Sequence, residues 1–338
     1  MKIDGALTFA GPGHAGAAAA RLEEQGFDGA LSFEGPHEPF MPLALAAHET
    51  SRIQLMTAVA IAFARNPMVC AYAANDLQLI SQGRFILGLG SQIRPHIERR
   101  FSQTWSKPNA RMREFVLAMR AIFRTWNEGE PLRFEGEFYR HTLMTPFLSP
   151  QPNPHGPPPI YLAGFGAGMI RIAGEVADGW MVHPLHTTGY MEEVALPALQ
   201  EGLAKGGRTA ADCEISAQTI CMVGETEEQI EKAKAAARMQ ISFYGSTPAY
   251  RVALDHEGWG DLQPELNRMS KAGLWGEMTA LISDEMLEKI GVIGTPEEVG
   301  CRLRERNNFA ARTSVILYDE SGDPEALPKI AAGVHGEN

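Results

Sequence analysis

Eight short apolar runs, at about residues 3–9, 28–33, 53–61, 85–89, 159–163, 179–182, 214–223 and 312–318, alternate with helix-period segments along nearly the whole chain. The runs are almost continuously apolar, the pattern expected of strands buried on both faces. The gaps read as helices. In RMREFVLAMRAIFRTW, Met112, Phe115, Val116, Met119, Ile122, Phe123 and Trp126 recur at helical spacing and predict one apolar stripe. In TPEEVGCRLRERN, Thr295 stands before Pro296 and three residues before Glu298, a helix-start pattern that Thr226 repeats in GETEEQIEKAKAAARM. Such alternation predicts a parallel sheet covered by helices. Eight units in 338 residues fit an α/β fold, a (β/α)₈ TIM barrel with insertions. An open doubly wound sheet with a second domain is the rival. No Pro/Gly/Ser-rich linker divides the chain, which favours one barrel domain over residues 1–338.

Two stretches break the alternation. Residues 127–158 contain a hairpin pattern and then a proline-rich approach to the fifth strand. Residues 241–283 are rich in Gly, Trp, Met and Tyr. Excursions of this length in a compact domain are usually lids or interface elements. Phe243, Tyr244, Trp259 and Trp275 are the expected pocket walls there, with an oligomer contact as the alternative.

With 41 acidic against 30 basic residues, the chain lacks the basic excess of a nucleic-acid binder. Cys70, Cys213, Cys221 and Cys301 have no metal or disulfide spacing and read as small hydrophobes in a reduced compartment. The opening KIDGALTF resembles a strand more than a signal region. No apolar stretch reaches the ~18–20 residues of a membrane helix. The expectation is a cytoplasmic enzyme, forming a homodimer or higher homo-oligomer, with a small-molecule substrate and neither nucleic-acid nor membrane partners.

A barrel of this type carries its chemistry at the C-terminal ends of its strands. After the second run comes SFEGPHEPF, where Glu34 and His37 are candidates for proton handling, while Glu38-Pro39 can cap the next helix. Arg65, after the third, either meets an anion or lies at the surface. The fourth run ends in GLGSQIRP. Its G-x-G invites a phosphate loop, yet Ile93 stands where a third glycine would, and Pro95 is expected to prevent an immediate helix. The fifth run leads through Ala163, Gly164, Phe165, Gly166, Ala167 and Gly168 into a helix, a context that suits a phosphate. The sixth ends at His183 rather than a ribose-binding carboxylate, which fits a flavin-type phosphate better than NAD. His186 follows. The histidines lack metal-ligand spacing, so no metal is expected.

These blocks resemble a known family. GFDGALSFEGPHEP, TAVAIAFARNPMVCAYAANDLQLISQGRFILGLGSQ, PPPIYLAGFGAGMIRIAGEVADGWM and GTPEEV look like the bacterial-luciferase-like superfamily, most of all its coenzyme F420-dependent oxidoreductase branch. The resemblance spans about residues 2–318 and implies a TIM barrel binding F420 or FMN. It implies a cofactor ring against a bulge at Ala58-Val59, where the family commonly has a non-prolyl cis peptide. It also implies a phosphate on Gly164–Gly168, Ser91 and Gln92 at the ring or substrate pocket, and His183 among the cofactor contacts. Gly88 and Gly90 would then let the chain pass close to a planar ring. His186, Phe243 and Tyr244 are substrate candidates. Many relatives carry an acid followed directly by histidine where this chain has Glu34-Gly35-Pro36-His37, which leaves the proton donor open. The expected function is an F420-dependent oxidoreductase moving a hydride between the deazaflavin and a small organic substrate. The alternatives are an FMN-dependent luciferase-like monooxygenase using O₂ and a separate reductase, and a non-catalytic flavin-binding barrel.

Overall fold

All eight apolar runs become strands of one closed barrel in the computed structural model, which describes residues 1–7 and 11–337. The strands are β1 (Lys2–Ala6), β2 (Gly29–Ser32), β3 (Gln54–Thr57), β4 (Phe85–Gly90), β5 (Ile160–Ala163), β6 (Gly179–Val182), β7 (Glu214–Val223) and β8 (Arg312–Asp319). Each pairs in parallel with the next, and β8 pairs with β1. Thr8 and Phe9, at the end of the first run, lie outside the described residues.

The outer ring follows from the helical stripes. Its members are α1 (Ala15–Glu24), α2 (Phe40–Glu49), α3 (Pro67–Ile80), α4 (Pro108–Glu128), α5 (Ala167–Val176), α6 (Leu196–Lys205), α7 (Glu227–Gly245) and α8 (Pro296–Arg306). Every residue of the predicted α4 stripe is buried. Thr226 and Thr295 both close capping boxes, with Gln229 and Glu298. Each such cap is worth about 0.5–2 kcal/mol.

Besides the two-residue Ala60–Ile61 alongside β4, a further parallel strand, Gly291–Gly294, escapes the sequence pattern because it is short and begins and ends in glycine. It has a place because β7 is ten residues long. Glu214–Ala217 of β7 pair with β6, and Ile220–Val223 pair with Gly291–Gly294 along the same edge. The hairpin expected in 127–158 is Phe134–Glu135 with Arg140–His141. The 241–283 excursion is helical, passing through Arg251–His256, Leu262–Lys271 and Trp275–Met278.

The barrel is plugged from its N-terminal end. Arg312 is fully buried and donates two hydrogen bonds of 2.8 Å to Asp4, with Gln54 at 3.1 Å and Glu214 at 3.3 Å. Above them Leu31, Met56, Ile86, Tyr161 and Met181 form a separate apolar layer. Inside the barrel, among the described residues, space therefore opens toward the C-terminal ends of the strands. Among the described residues no helix is long and apolar enough to cross a membrane.

Candidate active site

Above the apolar layer lies a cavity of about 670 Å³, within the range of small-molecule sites. Its walls come from the ends of β2 to β8 and from two rim segments.

The β3 side is a shelf. The Ala58-Val59 peptide is cis, as the resemblance implied, and both residues line the cavity. The shelf is tied to the β2 end: the Ala58 N–H donates to the Ser32 carbonyl at 2.7 Å, and the Glu34 N–H to the Val59 carbonyl at 3.2 Å. The Glu34 carboxylate accepts from the Ile61 N–H at 2.7 Å and from the Arg65 guanidinium at 2.5 Å. Arg65 also reaches Glu38 at 3.1 Å, and Glu38 accepts the N–H groups of Phe40 and Met41 at the start of α2. Arg65 thus meets anions of its own chain. Neither Glu34 nor the half-buried His37 lines the cavity.

The β4 glycines stand against the shelf. A Cβ on Gly88 would stand 1.9 Å from the Thr57 carbonyl oxygen, and one on Gly90 would stand 2.6 Å from Val59 Cγ2. They admit the neighbouring shelf, and Gly90 also lines the cavity. Thr57 Oγ1 also accepts from the Gly88 N–H and donates to its carbonyl, at 2.9 and 2.7 Å. Ser91 and Gln92 do line the cavity, with Gln92 in the left-handed region at φ 59°. Pro95 does not prevent a helix. Arg94–Arg99 is helical with the proline in its first turn, where a missing N–H costs no intrahelical bond.

The β5 loop is built to present N–H groups. Its carbonyls are already engaged: the Trp180 indole donates to Gly164 O at 2.8 Å and the Tyr190 hydroxyl to Phe165 O at 2.6 Å. Gly166 is the N-cap of α5 and has no side chain to satisfy the first-turn donors. A Cβ on Gly166 would touch nothing within 4 Å, whereas one on Gly168 would meet the Asn109 amide at 2.4 Å. Asn109 lines the cavity beside this turn. Ala163, Gly164, Phe165, Gly166 and Gly168 line it too; Ala167 does not.

At the end of β6, His183 lines the cavity and is half-buried. Its Nδ1 accepts from the Leu185 N–H at 3.2 Å. Its ring packs against Tyr250 (centroids 4.1 Å), Tyr244 (4.6 Å) and Phe165 (5.3 Å). Burial, helped by neighbouring His186, pushes its pKa down to about 3. His186 lies behind it, fully buried, with Nδ1 3.0 Å from the His183 carbonyl. Burial and then Arg306 push its pKa down to about 3 as well.

The three substrate candidates lie outside the cavity lining. His186 does not reach the cavity, Tyr244 backs His183, and Phe243 is exposed against Trp275 at 6.2 Å. Phe243 and Tyr244 are consecutive on α7 and so point in directions about 100° apart. The rim is formed instead by Thr247, Pro248, Ala249 and Tyr250.

Sequence reading also missed Asn109, Trp105 and the polar wall of Ser216, Gln218 and Ser314. Ser216 and Gln218 stand two apart on β7 and so face one way. Gln218 pairs in register with Ser314. Polar residues at alternate positions of a buried strand were the available signal. Arg94 is the one charged residue among the described cavity residues, and it is exposed and paired with Glu98 at 2.9 Å. Among the described residues no cluster of three or more His, Cys, Asp or Glu could hold a metal.

The luciferase-like monooxygenase family matches residues 3–313. The chain belongs to that family. This luciferase-like chain is 49% identical over 306 residues to an uncharacterized protein of Mycobacterium tuberculosis, covering 90% of each. It is 30% identical over 284 residues to the 5,10-methylenetetrahydromethanopterin reductase of Archaeoglobus fulgidus, covering 83% of this chain and 81% of that one. The solved coenzyme F420-dependent tetrahydromethanopterin reductase from Methanopyrus kandleri superposes with a TM-score of 0.78 at 21% identity, covering 98% and 96% of the two chains.

Proposed function

We propose that this luciferase-like chain is an oxidoreductase that binds coenzyme F420 at the barrel mouth and moves a hydride between it and a small organic substrate. The observation that carries this reading is one cavity joining the Ala58-Val59 shelf to the donor-rich Gly164–Gly168 turn. The similarity to two methanopterin reductases, one of them named as F420-dependent, supports the deazaflavin over FMN.

The residues fit such a group. The open space over Gly166 and the uncapped first turn of α5 suit a phosphate, with the Asn109 amide as a further donor. Ala58 and Val59 form an apolar surface for a planar ring. Ser91, Gln92, Ser216, Gln218 and Ser314 supply donors and acceptors for its edges. When bound, the deazaflavin supplies two-electron hydride chemistry, and the protein contributes orientation and exclusion of water. For Glu34 the geometry supports holding the shelf in place rather than proton transfer.

Titrating F420 and FMN separately into protein purified from a host lacking F420 tests the reading. Saturable F420 binding that weakens at least tenfold on Asn109→Ala or Gly166→Val supports it. Tight FMN binding with none of F420 overturns it in favour of the O₂-dependent monooxygenase. F420 binding without hydride transfer to any acceptor favours the non-catalytic barrel.

A further inference from the structure

We propose that His183, with Tyr250 packed against it, forms a neutral donor subsite for the oxygen of an uncharged carbonyl compound. This rests on the reading above only for the assignment of the cavity to both cofactor and substrate. Three observations lead to it.

The first is the tautomer. The Leu185 N–H points at His183 Nδ1 from 3.2 Å, so the Nδ1 lone pair is taken and the ring proton sits on Nε2. That Nε2–H finds no acceptor among the described residues, and it is not one of the sealed, unpartnered buried atoms. It therefore opens on the cavity that His183 lines. The Tyr250 hydroxyl shares this situation, with no partner among the described residues.

The second is permanence. The imidazole packs against Phe165, Tyr244 and Tyr250, which hold its plane, while the Leu185 N–H fixes which nitrogen faces inward. Burial disfavours the imidazolium, and the neutral His186 ring behind offers no counter-charge. Burial likewise keeps the Tyr244 and Tyr250 phenols protonated. The subsite stays uncharged.

The third is selectivity. Ser, Thr, Asn and Gln side chains around the cavity can each donate or accept, so they do not discriminate. His183 Nε2–H can only donate, so its ligand must present an acceptor. A carbonyl oxygen has two lone pairs and can take both His183 and Tyr250. An anionic substrate finds no buried counter-charge, because Arg94 is exposed and paired.

The tautomer is read directly on the unmodified protein by long-range ¹H–¹⁵N NMR with labelled histidine, assigned against His183→Gln. The expected pattern is protonated Nε2, bare Nδ1 and no titration between pH 8 and 5. An Nδ1–H tautomer, or titration in that window, overturns the proposal. Binding is measured, with and without F420, for acetophenone, for its hydrocarbon isostere α-methylstyrene and for benzoate. Acetophenone should bind roughly 5- to 10-fold tighter than α-methylstyrene. The ratio should fall to about 1 in folded His183→Phe and partly return in His183→Gln. No preference in the wild type, a preference surviving in His183→Phe, or benzoate binding tightest each defeats it. Failure of F420 to bind the wild type, with the ketone preference intact, overturns the functional reading alone.

Discussion

Glu34 and Arg65 form an ion pair of 2.5 Å beside the Ala58-Val59 shelf, largely withdrawn from solvent, and neither lines the cavity. The same Glu34 carboxylate holds the Ile61 N–H. A residue that sequence position suggested for proton transfer thus has its Oε2 held by two structural partners.

Glu34→Gln should therefore act on stability and on ring binding. It leaves Arg65 with Glu38 and the Ile61 carbonyl and removes a charge-assisted bond to the backbone. Urea denaturation should report a loss of about 2–4 kcal/mol, accompanied by weaker F420 binding. A large drop in kcat at unchanged stability and unchanged F420 affinity would return Glu34 to proton chemistry.

Two glycines make a contrasting pair. Gly88→Ala drives a methyl into the Thr57 carbonyl, a rigid backbone atom, and should cost about 3 kcal/mol or more, or prevent folding. Gly166 has ordinary dihedrals of φ −75° and ψ 146° with open space above it, so Gly166→Ala should change stability by less than about 0.5 kcal/mol. Denaturation midpoints check both. Equal costs at the two positions would contradict the packing described here.

His186 makes stability depend on pH. Its folded pKa of about 3 lies below the ~6.5 of an unfolded histidine, so the unfolded chain binds the extra proton. The neutral-state stabilisation is complete above pH ~6.5 and is lost as pH falls from there toward 3. The slope for one such group is about 1.4 kcal/mol per pH unit. Denaturant titrations at pH 7.5, 6.0 and 5.0 should show a shallower acid slope for His186→Gln by about that amount. Parallel curves for variant and wild type would refute it.

Glu257 latches the rim. Its carboxylate accepts from Thr187 Oγ1 at 2.5 Å and Lys289 at 3.0 Å, and stands 3.4 Å from His256. It thereby joins the loop after β6 to the segment carrying Tyr250. Glu257→Gln should raise amide exchange in residues 247–259 by roughly tenfold and raise KM more than it lowers kcat. Unchanged exchange there would show that the apolar contacts of the rim suffice.

The sequence by itself determined whatever depends on near neighbours in the chain. Apolar runs became strands, stripes such as Met112–Trp126 became buried helix faces, and Thr226 and Thr295 became caps, because each signal is complete within a few turns of backbone. The glycine turn after β5 was legible for the same reason. Only the tertiary structure decided which side chains share a space. Asp4 and Arg312 stand 308 positions apart and meet because the barrel closes. Gln218 faces the cavity beside Ser314 through strand register. His183 and His186 are three residues apart, yet one lines the cavity and the other is sealed behind it, since the loop turns between them. Register, closure and the direction of a loop are collective results of packing, and no local pattern encodes them.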